Sequence, residues 1–171
     1  MLKIAFIGTH GANKTTHCYE LASALKKLDK NVYILQEVAR ECPFPVNEKV
    51  TFETQMWMLT TQIKREIEVS KQKGLDYLIC DRSVIDVYAY MIRKAEDECS
   101  PIIEFVYNWA ETYDYIFRCK PIHLKNDCFR STSKEFQTDI DNIFDRLNWN
   151  TLPIYPFYTI ENVLKTIKGN K

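Results

Sequence analysis

The segment GTHGANKTT, Gly8 to Thr16, follows directly on the apolar run Leu2 to Ile7, and no other stretch narrows the fold of this chain as much. It fits the pattern G-x-x-x-x-G-K-[ST] at Gly8, Lys14 and Thr15, with Asn13 where the second glycine belongs. The pattern has a mechanism: successive backbone N–H groups wrap an anion, the lysine reaches outer phosphates and the hydroxyl ligates Mg²⁺. The following helix aims its positive end at the same place. Asn is one of the few side chains that tolerate a left-handed backbone, so the loop is expected to form with Asn13 in it. The dinucleotide fingerprint G-x-G-x-x-G is absent.

A loop of this kind needs a strand before it and a helix after it, and the chain repeats that alternation. Short apolar runs at Leu2 to Ile7, Asn31 to Gln36, Asp76 to Cys80 and Tyr115 to Cys119 read as strands. Leu152 to Tyr158 reads as a fifth, with Pro153 and Pro156 suiting an edge. Helical spacing is predicted over Lys14 to Leu28, Phe52 to Lys71, Val84 to Lys94, Pro101 to Thr112, Lys134 to Leu147 and Thr159 to Ile167. In the second of these, Phe52, Met56, Leu59, Ile63 and Ile67 form the expected inward stripe. The expected fold class is α/β: a three-layer phosphate-loop NTPase sandwich, a five-stranded parallel sheet flanked by helices. One domain over residues 1–171 is expected, with a lid segment at about 121–134. Ligands of such sheets bind outside the carboxyl ends of the strands, where Gly8, Glu37 and Asp81 would gather.

Composition bears on partners and compartment. Lys plus Arg and Asp plus Glu both number 23, for a formal net charge of zero, so no basic excess advertises nucleic acid. The six cysteines form no C-x-x-C and no zinc spacing, which suits a reducing, cytoplasmic setting. No run approaches the ~20 apolar residues of a membrane span.

Several residues then carry candidate chemistry. Gly8, His10, Gly11, Ala12, Asn13, Lys14, Thr15 and Thr16 are the expected nucleotide-binding residues, with Lys14 on the β and γ phosphates. Thr15 and Asp81 are the expected Mg²⁺ ligands, because Asp81 ends an apolar strand as the metal-holding acid of phosphate-loop enzymes does; capping of the next helix is the ordinary alternative. Arg82 follows where hydrolytic enzymes often carry a second, water-activating acid. A cation there favours phosphoryl transfer to a bound acceptor. Glu37, at a strand end, is placed to take the acceptor hydroxyl's proton, against the plainer role of pairing with Arg40. Arg130, in Asp127-Cys128-Phe129-Arg130, is placed to act as an arginine finger, with Arg118 and Lys120 as weaker candidates. Gln55 and Gln62, seven apart, share a helix face and can read a base edge, while Trp57 can stack on it. A solvated or core role is at least as ordinary for these three. With Arg40, Glu37 and Arg82 they make up the expected acceptor-binding set.

The strings GTHGANKTT, EVARECPFP, CDRSVIDVYAY and DCFRSTSKEFQ together resemble a family of small AAA-like phosphate-loop proteins. That family includes the ribosylnicotinamide kinase domain of bifunctional NAD-biosynthesis proteins. The chain is similar, more distantly, to deoxynucleoside and thymidylate kinases. The resemblance covers roughly Leu2 to Leu147 and implies a kinase fold with a helical lid. It implies nucleotide and Mg²⁺ roles for Lys14 and Thr15, a general base at Glu37, a D-R-S element at Asp81 and Arg82, and a lid arginine at Arg130. The chain departs from the family pattern at Asn13 and at Cys128, where the lid carries glycine.

The expectation is an ATP- and Mg²⁺-dependent kinase acting on a hydroxyl of a nucleoside or nucleotide-like acceptor. Its partners would be a nucleotide and a small acceptor, with no membrane; a homodimer is compatible. One alternative acceptor is a hydroxymethylated base in DNA. Another reading, favoured by Asn13, is a nucleotide-dependent switch that turns over little. Guanine specificity lacks its N-K-x-D element.

Overall fold

The computed structural model describes residues 1–94, 100–122, 132–147 and 151–169. Five strands, β1 (Leu2–Ile7), β2 (Val32–Leu35), β3 (Tyr77–Asp81), β4 (Tyr115–Arg118) and β5 (Ile154–Pro156), form one all-parallel sheet in the order β2-β3-β1-β4-β5. The helices are α1 (Lys14–Lys26), α2 (Phe52–Ser70), α3 (Val84–Lys94), α4 (Ile103–Ala110), α5 (Lys134–Arg146) and α6 (Ile160–Gly169). The expected α/β phosphate-loop sandwich is the fold of this chain.

Strand alternation splits the core into two layers. Ile4 and Phe6 face α1 and α6, in a cluster with Cys18, Leu21, Leu25, Phe117, Val163 and Ile167. Ala5 and Ile7 face the other way, with Leu78, Ile85, Met91, Val106, Ile140 and Phe144 of the opposite layer. Both faces are covered, which is why the strands read as continuous apolar runs. β5 is the edge strand, so its prolines sit where they interrupt least: Pro153 still accepts from the Ile116 N–H at 3.0 Å.

Two sequence expectations shift. The buried face of α2 is Thr54, Gln55, Met58, Leu59, Gln62, Glu66 and Val69; of the expected apolar stripe only Leu59 belongs to it, while Phe52, Met56 and Ile63 pack only partly and Ile67 is exposed. Thr54, Gln62 and Glu66 of that face are paired internally, which offsets the cost of burying them. Glu66 accepts from Lys3 Nζ (2.9 Å), Trp109 Nε1 (2.9 Å), the Tyr113 hydroxyl (2.6 Å) and Gln62 Nε2 (2.8 Å). Second, α1 stops at Lys26 and Leu28 is exposed, because the chain turns there with Asp29 at φ 57°.

Register is what brings the site together. Phe6 pairs with Asp81 and Ile7 with Arg118. The Arg82 N–H then donates to Phe6 O at 3.1 Å and the Cys119 N–H to Ile7 O at 2.8 Å. Gly8 therefore leaves the sheet between the ends of β3 and β4, at the point where strand order reverses and the crevice opens.

Candidate active site

The loop between β1 and α1 has the backbone its pattern demands. Gly8 has φ 143° and Gly11 φ 74°. A Cβ on Gly8 would lie 2.3 Å from the Cys119 carbonyl oxygen, so this glycine is required for space as well as for φ. Asn13 takes φ 53°, ψ 22°, the left-handed conformation expected of it, and starts α1. No acid occupies the first turn of α1, so nothing opposes an anion at its positive end.

Lys14 is buried, and its Nζ crosses the loop to donate to Gly8 O at 2.6 Å and Thr9 O at 2.8 Å. Burial, reinforced by the nearby Arg82 cation, lowers its pKa from 10.5 to about 8, against the pull of Asp86, Asp81 and Glu37. Beside it, the Thr15 hydroxyl donates to Asp81 Oδ2 at 2.5 Å. Burial, with Glu37 close by, raises the pKa of Asp81. These two oxygens converge at the mouth of the loop. A hydroxyl and a single carboxylate fit Mg²⁺, which binds one or two protein oxygens and takes its remaining ligands from phosphates and water. Among the described residues no cluster of His, Cys, Asp and Glu could cage a metal unaided.

Arg82 sits at φ 85°, in a turn between β3 and α3. Its Nε donates to Glu37 Oε1 at 2.6 Å, its Nη1 lies 3.9 Å from Asp86 Oδ1 and its guanidinium lies over the Tyr90 ring. Glu37 is buried and also faces Arg40 Nε at 3.2 Å. Next to this group an open cleft extends toward α2. His10, Glu37, Asn47, Gln55, Arg82, Asp86 and Tyr90 provide its polar lining; Ala39, Val46, Val50, Met58 and Val87 provide the rest. Gln55 Oε1 is buried there without a hydrogen-bond partner among the described residues. A buried amide oxygen left unpaired is costly, and such atoms mark places where a ligand donor fits.

The sequence candidates sort themselves on this geometry. Gly8, His10, Gly11, Ala12, Asn13, Lys14, Thr15 and Thr16 all lie in the loop or the first turn of α1, with Thr16 exposed. Asp81, Arg82 and Glu37 meet at its mouth, and Gln55 faces the cleft. Gln62 turns instead to Glu66 and, at 3.4 Å, to Arg82 O, while Trp57 packs edge-on against Phe44, away from the cleft. Arg118 and Lys120 are bound to α5 through Asp141 and Asp145. Asp127, Cys128 and Arg130 lie outside the described residues.

Three further residues shape the site. Tyr90 accepts the His10 N–H at 3.2 Å and lies 3.2 Å from His10 Nδ1. Gln137 of α5 is fully buried and donates to His10 O at 2.8 Å, tying the loop to that helix. Asp86 accepts the Gly8 N–H at 3.0 Å. Only Asp86 left a trace in the sequence: it is the one acid in the apolar run VIDVYAYMI and stands three residues after Ser83.

A model of a protein family described as an AAA domain matches residues 3–154, nearly the whole sheet and its helices. The chain belongs to this AAA domain family. No curated protein matches it. Among solved structures, the deoxyadenosine kinase of M. mycoides with bound dATP superposes with a TM-score of 0.67 at 21% identity, over 98% of this chain and 100% of that one. The same kinase with dCMP and a flexible dCDP gives 0.64 at 19%, over 99% and 98%. The thymidylate kinase of Ehrlichia chaffeensis gives 0.68 at 20%, over 99% and 98%. The fold of this AAA domain is thus shared with nucleoside and nucleotide kinases along its full length.

Proposed function

We propose that this protein is a kinase that transfers the γ-phosphoryl group of ATP, with Mg²⁺, to a hydroxyl of a nucleoside or nucleotide-like acceptor. The observation that carries the reading is the cleft beside the phosphate loop, which has the Glu37–Arg82 pair at its loop end and the unpaired Gln55 oxygen on its wall. Attack of water on ATP needs no second cleft beside the phosphate loop, whereas transfer to an acceptor does. The fold shared with a dATP-bound deoxyadenosine kinase supports the same conclusion.

Each residue then has a task. Lys14 would bind the outer phosphates and Arg82 the γ-phosphoryl group, where cations would offset charge on the phosphoryl oxygens during transfer. Thr15 and Asp81 would hold Mg²⁺, which when bound neutralises phosphate charge and orients the chain of phosphates. Glu37 accepts the proton of the acceptor hydroxyl, held in place by Arg82 and Arg40. Gln55 accepts a hydrogen bond from the acceptor's base edge, and Val46, Val50, Met58 and Val87 cover its flat faces. Arg130 is proposed to reach the phosphates from the segment before α5. The left-handed Asn13 keeps the loop in shape, which weighs for a working site over a degenerate one.

A screen of nucleosides and hydroxymethylated DNA with labelled ATP tests the reading. Product should form only with acceptor present, vanish in Lys14→Ala and fall by about 10²–10⁴-fold in Glu37→Gln. Equal ATP turnover with and without every acceptor would remove the kinase assignment.

A further inference from the structure

The structure assigns Asp86 the role of a positioning residue that fastens the entry of the phosphate loop to the Arg82–Ser83 turn through the two oxygens of one buried carboxylate. This rests on the loop being the ATP site.

A serine at a helix start with an acid three residues on is an ordinary reciprocal cap. Half of what Asp86 does is that: Oδ2 accepts the Ser83 N–H at 2.8 Å and its hydroxyl at 3.2 Å, while Ser83 Oγ accepts the Ile85 N–H at 3.1 Å. The other half is not local. Oδ1 accepts the Gly8 N–H at 3.0 Å, across 78 residues of sequence, and faces Arg82 Nη1. Asp86 is 1% exposed, so water does not compete for these bonds.

Both elements it holds have backbones that few residues can adopt. Gly8 has φ 143° and no room for a Cβ beside Cys119 O, while Arg82 carries the strain of φ 85° with a full side chain. Strained backbone persists only where its surroundings over-determine it. Here the same carboxylate bonds the residue before the loop's hollow and the residue next to the arginine. The two phosphate-handling elements are thereby kept in one register before any ligand arrives.

The exchange Asp86→Asn keeps the shape and replaces one acceptor with a donor. One of the two N–H groups, Gly8 or Ser83, then faces an NH₂. Binding of Mg·ATP, followed by titration calorimetry, should weaken by about tenfold or more. Ser83→Ala removes the hydroxyl cap from the same helix and spares the Gly8 bond; it should lower the melting temperature yet bind Mg·ATP within about threefold of wild type. Asp86→Asn binding as tightly as wild type, or Ser83→Ala weakening ATP as much, would show that Asp86 is only a helix cap. If Asp86→Asn does not fold, NMR of the wild-type protein decides. A scalar coupling from the Gly8 amide to the Asp86 carboxyl carbon supports the clamp, and a fast-exchanging Gly8 amide without it overturns it. A wild-type protein that fails to bind Mg·ATP would sink the nucleotide reading itself, and the Gly8 coupling would still decide for or against the clamp.

Discussion

Asn13 occupies a backbone conformation for which glycine is the usual choice, and it does so at φ 53°, inside the narrow window open to an asparagine. Restoring glycine should therefore leave Mg·ATP affinity within about twofold, whereas Asn13→Ala should cost about 1–2 kcal/mol of stability, read by urea unfolding. Lys14 sets a pH signature. With its pKa lowered to about 8 in the fold and near 10.5 in the unfolded chain, it binds fewer protons folded than unfolded between those values, so its contribution makes stability rise with pH over that window. Phosphate beside the ammonium restores its proton affinity. ATP binding at pH 8.5 should then take up protons, seen as a dependence of the calorimetric heat on buffer ionisation enthalpy, and Lys14→Met should abolish the dependence. The cysteines behave differently: burial pushes the thiols of Cys18 and Cys80 well up and that of Cys119 to about 12, so they pack as apolar groups.

Among the elements, α2 carries the most unexpected design. It presents Gln55 to the cleft at one end and, two turns on, buries Gln62 and Glu66 in a polar knot with Lys3, Trp109 and Tyr113. Gln62 also reaches the Arg82 carbonyl, so the knot supports the turn that carries the proposed phosphate-binding arginine. Glu66→Ala would leave the ammonium of Lys3, a residue 8% exposed, without its carboxylate partner, and should destabilise the protein by about 3–5 kcal/mol in urea titration. The strands, the loop and the order Glu37, Asp81, Arg82 were legible in the chain because apolar runs and a spaced motif are local signals. The face of α2 was not: periodicity ranks Ile67 above Glu66, and only the long-range partners of Glu66 reverse that order. Asp86 was hidden for the same reason. Its cap to Ser83 is visible at a spacing of three, but its bond to Gly8 exists only once β1 and β3 lie side by side.

For the whole molecule, a site assembled from β1, β2, β3, α2 and α3 should report ligand binding as global stability. Mg·ATP at about 100 times its dissociation constant should add about 2.7 kcal/mol to unfolding, visible as a concentration-dependent melting temperature, and Lys14→Ala should lose the shift. No helix among the described residues is long and apolar enough to cross a membrane. The strand order has a temporal side too. β1 leaves the ribosome before the other four strands, yet it is the middle strand, with Tyr77 as its first partner on one side and Tyr115 on the other. Its N–H and C=O groups must wait through most of synthesis for the strands that satisfy them, and such non-local pairing is slow to form. A nascent chain halted before Tyr115 would expose one apolar edge of β1, the template on which chains stick to one another, so the strand that carries the phosphate loop also needs shelter while the protein is being made.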